Sequence, residues 1–431
     1  MATNRHGPAR GPVLTALDRA ERLFNEFAQI SADAPGVTRA SYSPIENAAH
    51  DIIRREAKAL GLEQRTDAIG NHYVTLAGRN REAPALMIGS HLDSVPHGGN
   101  FDGAAGVLAG LVLLERMADE PQPSCDVTLM VIRAEEMIWF PEHYLGSRAA
   151  FGLLAPDTPD RVCRSDSGRS LADHMTEAGF NPQVIRDGKA QLDPKKIRAF
   201  VEVHIEQGPV LVEANHPIGI VTSIRGNIRY RFAEIKGETG HAGGLPRKSR
   251  RDAVLAGAEL IAALELWWHD AEEKGKDMVL TFGEFYTHPA RHGITKVPGL
   301  VRFTLDVRSQ DDALLTEFDA YLANTISKIE TKRGVEVTLG ASTRAKAAPM
   351  ADDLQDGLSA AAQAIGVPTI PISSGGGHDC ATFANLGIAS AMLFVRNENG
   401  SHNPNEHMDF KDFSMACNVL TSWCVAEVGT F

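Results

Sequence analysis

The stretch GSHLDSVPHGGNFDG, residues 89–103, gathers two histidines, two aspartates and four glycines behind an apolar run. Imidazole and carboxylate are the ligands that hard and borderline divalent cations prefer, and a pair of such ions can share a bridging carboxylate with histidines on either metal. His91 and Asp93 follow the end of the apolar run, and Asp102 stands in the glycine-rich link to the next one. A plainer reading stays open for this stretch alone: a glycine-rich turn whose Asp102 only caps a helix. Three further segments carry residues of the same kinds, with Glu135 and Glu136 in RAEE, His204 in VHIEQG and His402 in GSHNPNEH. Side chains of neighbouring residues at a strand end point opposite ways, so one glutamate can bind a metal while the loop turns the other toward the same cleft. Adjacent acids are commonly solvated surface and a lone histidine is seldom a ligand. Four strand ends carrying such residues are harder to explain as surface decoration.

Those residues meet only if the elements that carry them end on one edge. APALMIGS and CDVTLMVIRAEE read as buried strands, with GAAGVLAGLVLLERMADE as the helix between them; IRAFVEVHIEQG is a third strand and ASAMLFVRNENG a fourth. The alternation predicts an α/β layer structure. In open α/β sheets ligands bind outside the carboxyl ends of the strands, so positions far apart in sequence are expected to converge. From about 217 to 340 the pattern changes. IGIVTSIRGNIRYRFAEIKG reads as two strands around a turn, SRRDAVLAGAELIAALELWWHDAEEKG as a long helix, and DMVLTFGEFY and GLVRFTLDVRS as strands. DDALLTEFDAYLANTISKIETKRG is another helix before VEVTLGAS. That order predicts a small sheet with two helices on one face, residues 217–340, inserted into a domain made of 1–216 and 341–431.

A chain of 431 residues exceeds what one core usually serves, which agrees with two domains. Its 43% apolar and 23% charged content is that of a soluble globular protein, and a net charge of −12 leaves no basic face for nucleic acid or an anionic membrane. No stretch approaches the roughly 20 apolar residues that span a bilayer. The start, MATNRHGPARGPVLTALDRA, lacks an apolar signal segment, which argues against secretion. Five scattered cysteines, none in a CxxC pair, point to free thiols in a reducing cytoplasm.

In order along the chain stand GSHLDSVPHGGNFDGAAGV, AEE, FVEVHIEQGPVLVEANHPIGIV, GHAGGLPRKSRRDA, VPGLVRFTLDVRS, SSGGGHDCATFA and GSHNPNEH. On these motifs the sequence resembles the dinuclear zinc peptidase and aminoacylase superfamily. Within it, the likeness is to the hydantoinase/carbamoylase branch of N-carbamoyl-L-amino acid amidohydrolases, allantoate amidohydrolases and β-ureidopropionases. The resemblance implies an α/β, aminopeptidase-like catalytic domain with a mixed sheet flanked by helices, and an inserted α+β, ferredoxin-like domain that serves as lid and dimerisation surface. It implies two divalent ions per subunit, zinc first, with manganese, cobalt or nickel acceptable to the same ligands. His91 and His204 would serve one metal, Glu136 and His402 the other, and Asp102 would bridge them. Glu135 would be the general base, and Asp93 would orient His91. His241, in GETGHAGG, would stabilise an oxyanion from a closed lid or a neighbouring subunit. Arg308 would clamp a substrate carboxylate, with Gln207 and His378 and, more weakly, Asn227 and Arg229 as further pocket residues.

Two departures concern the substrate. Where relatives read like EEEGSRF, this chain has AEEMIWFPEH, so Met137, Ile138 and Trp139 are expected to enlarge an apolar pocket wall. Where relatives carry an asparagine before VPG, this chain has ARHGITKVPG, with Thr295 nearest that place and His292 as a compensating group. The implied activity is a metal-dependent amidohydrolase cleaving the C–N bond of an N-carbamoyl or related N-acyl derivative of a small carboxylic or amino acid, in a cytoplasmic homodimer. One alternative is an amidase of the same scaffold for a bulkier or aromatic amide. Outside the enzymes stands a catalytically silent binding protein, against which the presence of all the ligand residues and the base speaks.

Overall fold

The Ala104–Ala118 helix carries apolar residues around its whole circumference, and nearly all of them are buried. Such a helix belongs between layers. It lies on the strands Ala85–His91, Val127–Ile132 and Ile197–Ile205, under the helices Ala16–Ile30 and Phe410–Val428. Gly106 makes the close approach to the sheet possible, because a Cβ there would stand 2.0 Å from the Val203 carbonyl oxygen. The computed structural model describes residues 15–429; residues 1–14, and with them most of the chain start used above to argue against secretion, lie outside the described residues, as do 430 and 431.

The chain divides into two units. The first runs to Thr222 and takes in Met350–Ile372 and the chain from His378 onward; the second comprises Ser223–Pro349 and Ser373–Gly377. The main sheet of the first unit places its strands in the order Ile218–Ile224, Ala389–Val395, Ile197–Ile205, Ala85–His91, Val127–Ile132, His72–Leu76, Glu63–Thr66. The four strands from Ala389–Val395 to Val127–Ile132 are mutually parallel, and their flanking strands antiparallel, so the sheet is mixed. The apolar runs of the four parallel strands reflect burial on both faces.

In the second unit, Gly226–Lys236 and Leu300–Ser309 form the centre of a six-stranded antiparallel sheet. The helices Ala253–Glu273 and Asp312–Arg333 pack on it around Phe303, Leu305, Phe318 and Leu322. Asp252 and Asp311 cap those helices with side-chain oxygens that accept main-chain N–H groups. Two strand readings are shortened by the structure. DMVLTFGEFY breaks into Val279–Thr281 and Phe285–Thr287, and the strand read through RAEE stops at Ile132. The second break has a local cause: Ala134 adopts φ +54, a left-handed conformation that cannot continue a strand. No described helix is long and apolar enough to cross a membrane.

Candidate metal centre

Parallel pairing sets the carboxyl ends of the four central strands on one edge. His91 is in register with Ile132, three residues before Glu135, and His204 is in register with Phe394. Beyond these ends the chain turns through left-handed residues at Ala134, Gln207 and His402, with φ of +54, +64 and +60. Non-glycine residues hold that conformation at a cost of order 1 kcal/mol each, and such turns cluster where a side chain must be aimed. Two donor groups that share Asp102 result, His91, Asp102 and His204, and Asp102, Glu136 and His402; a third, Glu202, His204 and His378, overlaps the first at His204. Asp102 Oδ1 lies 3.5 Å from His91 Nε2 and 3.2 Å from His204 Nε2, while its Oδ2 lies 3.5 Å from His402 Nε2. Glu136 Oε1 stands 3.6 Å from His402 Nε2.

The donor chemistry fits divalent cations. His91 Nδ1 donates to the Asp93 carbonyl at 3.0 Å and His204 Nδ1 to the Ile205 carbonyl at 2.9 Å, which turns each Nε2 toward Asp102 Oδ1 at the centre. Glu136 Oε1 is buried without a hydrogen-bond partner. Burial, the Asp102 charge and Asp93 push the Glu136 carboxyl up to about 8, against the opposing pull of His402 and His91. Burial disfavours the Asp102 carboxylate too, yet His204, His402 and His91 outweigh it and hold its carboxyl well below the usual range. The arrangement is a concentrated negative field fringed by imidazoles, the electrostatics of a cation site.

Asp93 does more than the sequence suggests. Its carboxylate accepts the Ser41 hydroxyl at 2.6 Å and the main-chain N–H groups of Glu135 and Glu136 at 3.2 and 3.0 Å, so it anchors the loop that bears both glutamates. Toward His91 the nearer acceptor is the Asp93 carbonyl, the carboxylate being 3.4 Å away. Glu135 belongs to neither donor group; its Oε2 is 3.9 Å from His91 Nε2. Burial, then Glu136, Asp379 and Asp93, raise its carboxyl well above the ordinary value, although His91 opposes them. His378 is buried, with its ring edge-to-face against His204 at 4.4 Å. The Gln207 amide donates to Asp102 Oδ2 at 2.7 Å.

The remaining predicted residues belong to the second unit. Asn227 and Arg308 are cross-strand neighbours, and the Asn227 side-chain oxygen is buried without a hydrogen-bond partner. Arg308 is held by Asp306 at 2.7 Å and by the Gly375 carbonyl at 2.6 Å; Arg229 also reaches Asp306, at 3.2 Å. His241 is exposed, and its Nδ1 accepts the N–H groups of Gly243 and Gly244, which leaves the hydrogen of the neutral ring on Nε2. His292 is exposed and paired with Thr287, and the Thr295 carbonyl accepts the N–H of Ala242 beside His241.

The MIWF segment departs from expectation. Trp139 and Phe140 lie in a buried cluster with Tyr42, Leu145 and Leu171, and the Trp139 indole donates to the Ser94 carbonyl at 2.7 Å. Ile138 is the large apolar side chain of the segment that stays exposed, at 51%.

The family model described as Peptidase family M20/M25/M40 matches residues 87–425. The chain belongs to this family. It is 34% identical over 408 residues to the N-carbamoyl-L-amino-acid amidohydrolase of Paenarthrobacter aurescens, covering 94% of this chain and 96% of that protein. With the allantoate amidohydrolase of Escherichia coli K12 it shares 33% identity over 394 residues, 90% of this chain and 92% of the other. A solved amidase of the hydantoinase/carbamoylase family from Burkholderia multivorans superposes with a TM-score of 0.85 at 28% identity, over 96% of this chain and 98% of that one. These relatives set the chain in the hydantoinase/carbamoylase branch, as a hydrolase of carbon–nitrogen bonds other than peptide bonds. The M20/M25/M40 family is metal-dependent, and the groups at the strand ends are of the kind that bind a metal.

Around the centre of this M20/M25/M40 member lie residues the sequence reading passed over. Arg39 is fully buried and donates to the Leu92 carbonyl at 2.6 Å and to Asn100 at 3.1 Å. Its charge faces Glu406, Asp102, Asp93 and Glu136, though burial lowers the guanidinium to about 10. Ser401 and Glu406 bind one another beside Asp102. An arginine between Thr38 and Ala40, five residues ahead of the Pro44–Ala59 helix, carried no spacing signal.

Proposed function

We propose that the protein hydrolyses the C–N bond of an N-carbamoyl, or related N-acyl, derivative of a small carboxylic acid, amino acids included, with two divalent ions bound at the strand ends. The observation that carries this reading is the pair of donor groups sharing Asp102, with a further carboxylate, Glu135, beside them and outside both. His91, Asp102 and His204 would hold one ion, and Asp102, Glu136 and His402 the other; zinc suits the set, as do manganese, cobalt and nickel. Bound ions supply Lewis acidity that acidifies water and polarises a carbonyl oxygen. Glu135 takes the proton of the attacking water at its carboxylate and returns it to the leaving nitrogen. Asp93 holds that glutamate in place through the main chain of its loop. His241 donates Nε2–H to the developing oxyanion, and Arg308, preset by Asp306, clamps the substrate carboxylate with Asn227 alongside. His292, Gln207 and His378 complete the proposed substrate contacts, Gln207 through its hold on Asp102. The second unit is proposed to act as lid and as the surface of a cytoplasmic homodimer.

A second reading, an amidase for bulkier or aromatic amides, draws on the exposed Ile138 just beyond Glu136 and on Thr295 in place of an amide side chain. A hydrolysis screen of metal-loaded protein decides between them. It runs N-carbamoyl-α-amino acids, N-carbamoyl-β-alanine, allantoate and aryl amides, with Glu135→Gln as control. Turnover of ureido acids that vanishes in the control supports the first reading; turnover of bulky amides alone supports the second. Metal binding with no turnover of any substrate returns the protein to the silent-binder class.

A further inference from the structure

Glu406 lies four residues beyond His402 in GSHNPNEH, is buried, and takes no part in either donor group. Its carboxylate joins two loops. Oε1 accepts the main-chain N–H of Phe101 at 2.9 Å and of Asp102 at 3.3 Å, and Oε2 accepts the Ser401 hydroxyl at 2.6 Å. The same hydroxyl oxygen lies 2.7 Å from Asp102 Oδ2. One side chain thus grips the backbone that presents Asp102 and the residue that precedes His402.

The local sequence is shaped around that grip. A Cβ on Gly99 would fall 2.2 Å from Glu406 Cδ, so only glycine lets the carboxylate reach the two N–H groups. The loop it restrains is one that needs restraint: Asn399 and His402 are left-handed, at φ +64 and +60, and a non-glycine residue keeps that conformation only where its surroundings over-determine it. Asn403 adds bonds from its side-chain amide to the Asn399 and Ser401 carbonyls, which closes the loop on itself but not on Asp102. One link across to Asp102 runs through Ser401 and Glu406; another runs from the Gly400 carbonyl through Asn397 and Gln207.

We propose that Glu406 is a positioning residue of the metal centre: it keeps Asp102 and His402 at a fixed separation through the 101–102 main chain and the Ser401 hydroxyl, touching neither substrate nor metal. The inference rests on Asp102 and His402 being ligands, as read above. Full-length protein and its Glu406→Ala, Glu406→Gln, Ser401→Ala and Asp102→Ala variants are loaded with cobalt(II). The d–d absorption spectrum, cobalt affinity by chelator competition, kcat and KM are then measured. Loss of an outer-shell partner typically costs 10–100-fold in metal affinity or activity, so Glu406→Ala is expected to lose roughly that much cobalt affinity and kcat, with shifted d–d bands and little change in KM. Glu406→Gln keeps an oxygen for the two N–H groups and offers an amide donor to the Ser401 oxygen, and is expected to restore the parent spectrum. Ser401→Ala is expected to shift the same bands. Parent spectrum and affinity in Glu406→Ala, or a Gln variant as impaired as Ala, overturn the proposal. If Glu406→Ala does not fold, a parent-like Ser401→Ala overturns it equally. Failure of the ligand assignment is distinct: the parent binds no cobalt, or Asp102→Ala binds it as the parent does.

Discussion

Glu135 and Glu136 are consecutive residues of one loop with different surroundings: Glu136 sits with Asp102 and His402, whereas Glu135 stands apart from both donor groups. Removing the Glu135 carboxylate while keeping its shape should therefore separate chemistry from metal binding. Glu135→Gln is expected to lower kcat by roughly 10²–10⁴-fold, the usual worth of a general base, with metal content by atomic absorption unchanged; loss of metal in that variant would make Glu135 a ligand instead. A second prediction concerns a histidine far from chemistry. His72 is buried, its Nε2–H donating to the Gln64 side-chain oxygen at 3.1 Å and its Nδ1 lying 2.9 Å from the Thr66 hydroxyl. Burial, followed by the charges of Arg54 and Arg133, lowers its pKa to about 4. The unfolded chain takes up this proton near pH 6.5, the folded one only near 4, so the associated stability is intact above 6.5 and is lost as pH falls through that window. The loss is on the order of 3 kcal/mol. Urea unfolding at pH 7 and pH 4.5 should show a steeper acid loss for the parent than for His72→Gln; equal losses would rule the histidine out. At this scale the ligand types in GSHLDSVPHGGNFDG, RAEE, VHIEQG and GSHNPNEH were legible because they end apolar runs. Arg39 and Glu406 were not, because their roles depend on which loops they touch.

The elements convert those residues into a site. Strand direction does most of it, since parallel strands present their carboxyl ends together, and the helix Ala104–Ala118 fixes the glycine-rich loop above them. At the start of that helix Gly103 has φ +65, and a Cβ there would lie 2.5 Å from His91 Cε1. Gly103→Ala combines a left-handed backbone with a collision on a proposed ligand. It is expected to destabilise the fold by about 1–3 kcal/mol and to weaken zinc binding. Calorimetric unfolding together with zinc titration checks this; a variant with parent stability and parent affinity would mean that the loop has room to move. Strand ends were the least readable feature. RAEE read as strand to its last residue, whereas Ala134 turns the chain two residues after Ile132. MIWF read as pocket wall, whereas the Ser94 carbonyl draws the Trp139 ring into the buried cluster. Both outcomes depend on partners distant in sequence.

For the whole molecule, binding of ions to the folded state alone shifts the unfolding equilibrium by mass action. A chelator is expected to abolish hydrolysis and to lower the unfolding temperature, with both restored by zinc; saturation at a thousandfold above Kd corresponds to about 4 kcal/mol. An unfolding temperature indifferent to chelator would leave the ions a catalytic role without a structural one. The homodimer expectation is tested by sedimentation equilibrium, and a monomer at micromolar concentration with full activity would exclude a catalytic part for the partner's lid. The sequence by itself determined the layer class, the alternation of buried strands and helices, the change of pattern at the second unit and the residue types at the strand ends, because apolar periodicity and ligand chemistry are local properties. Only the tertiary structure decided which of those residues share an edge, where Ala134, Gln207 and His402 turn the chain, and that Glu406 joins the Asp102 and His402 loops. Strand pairing, and the long-range hydrogen bonds that hold left-handed turns, join segments up to hundreds of residues apart, and no local pattern encodes them.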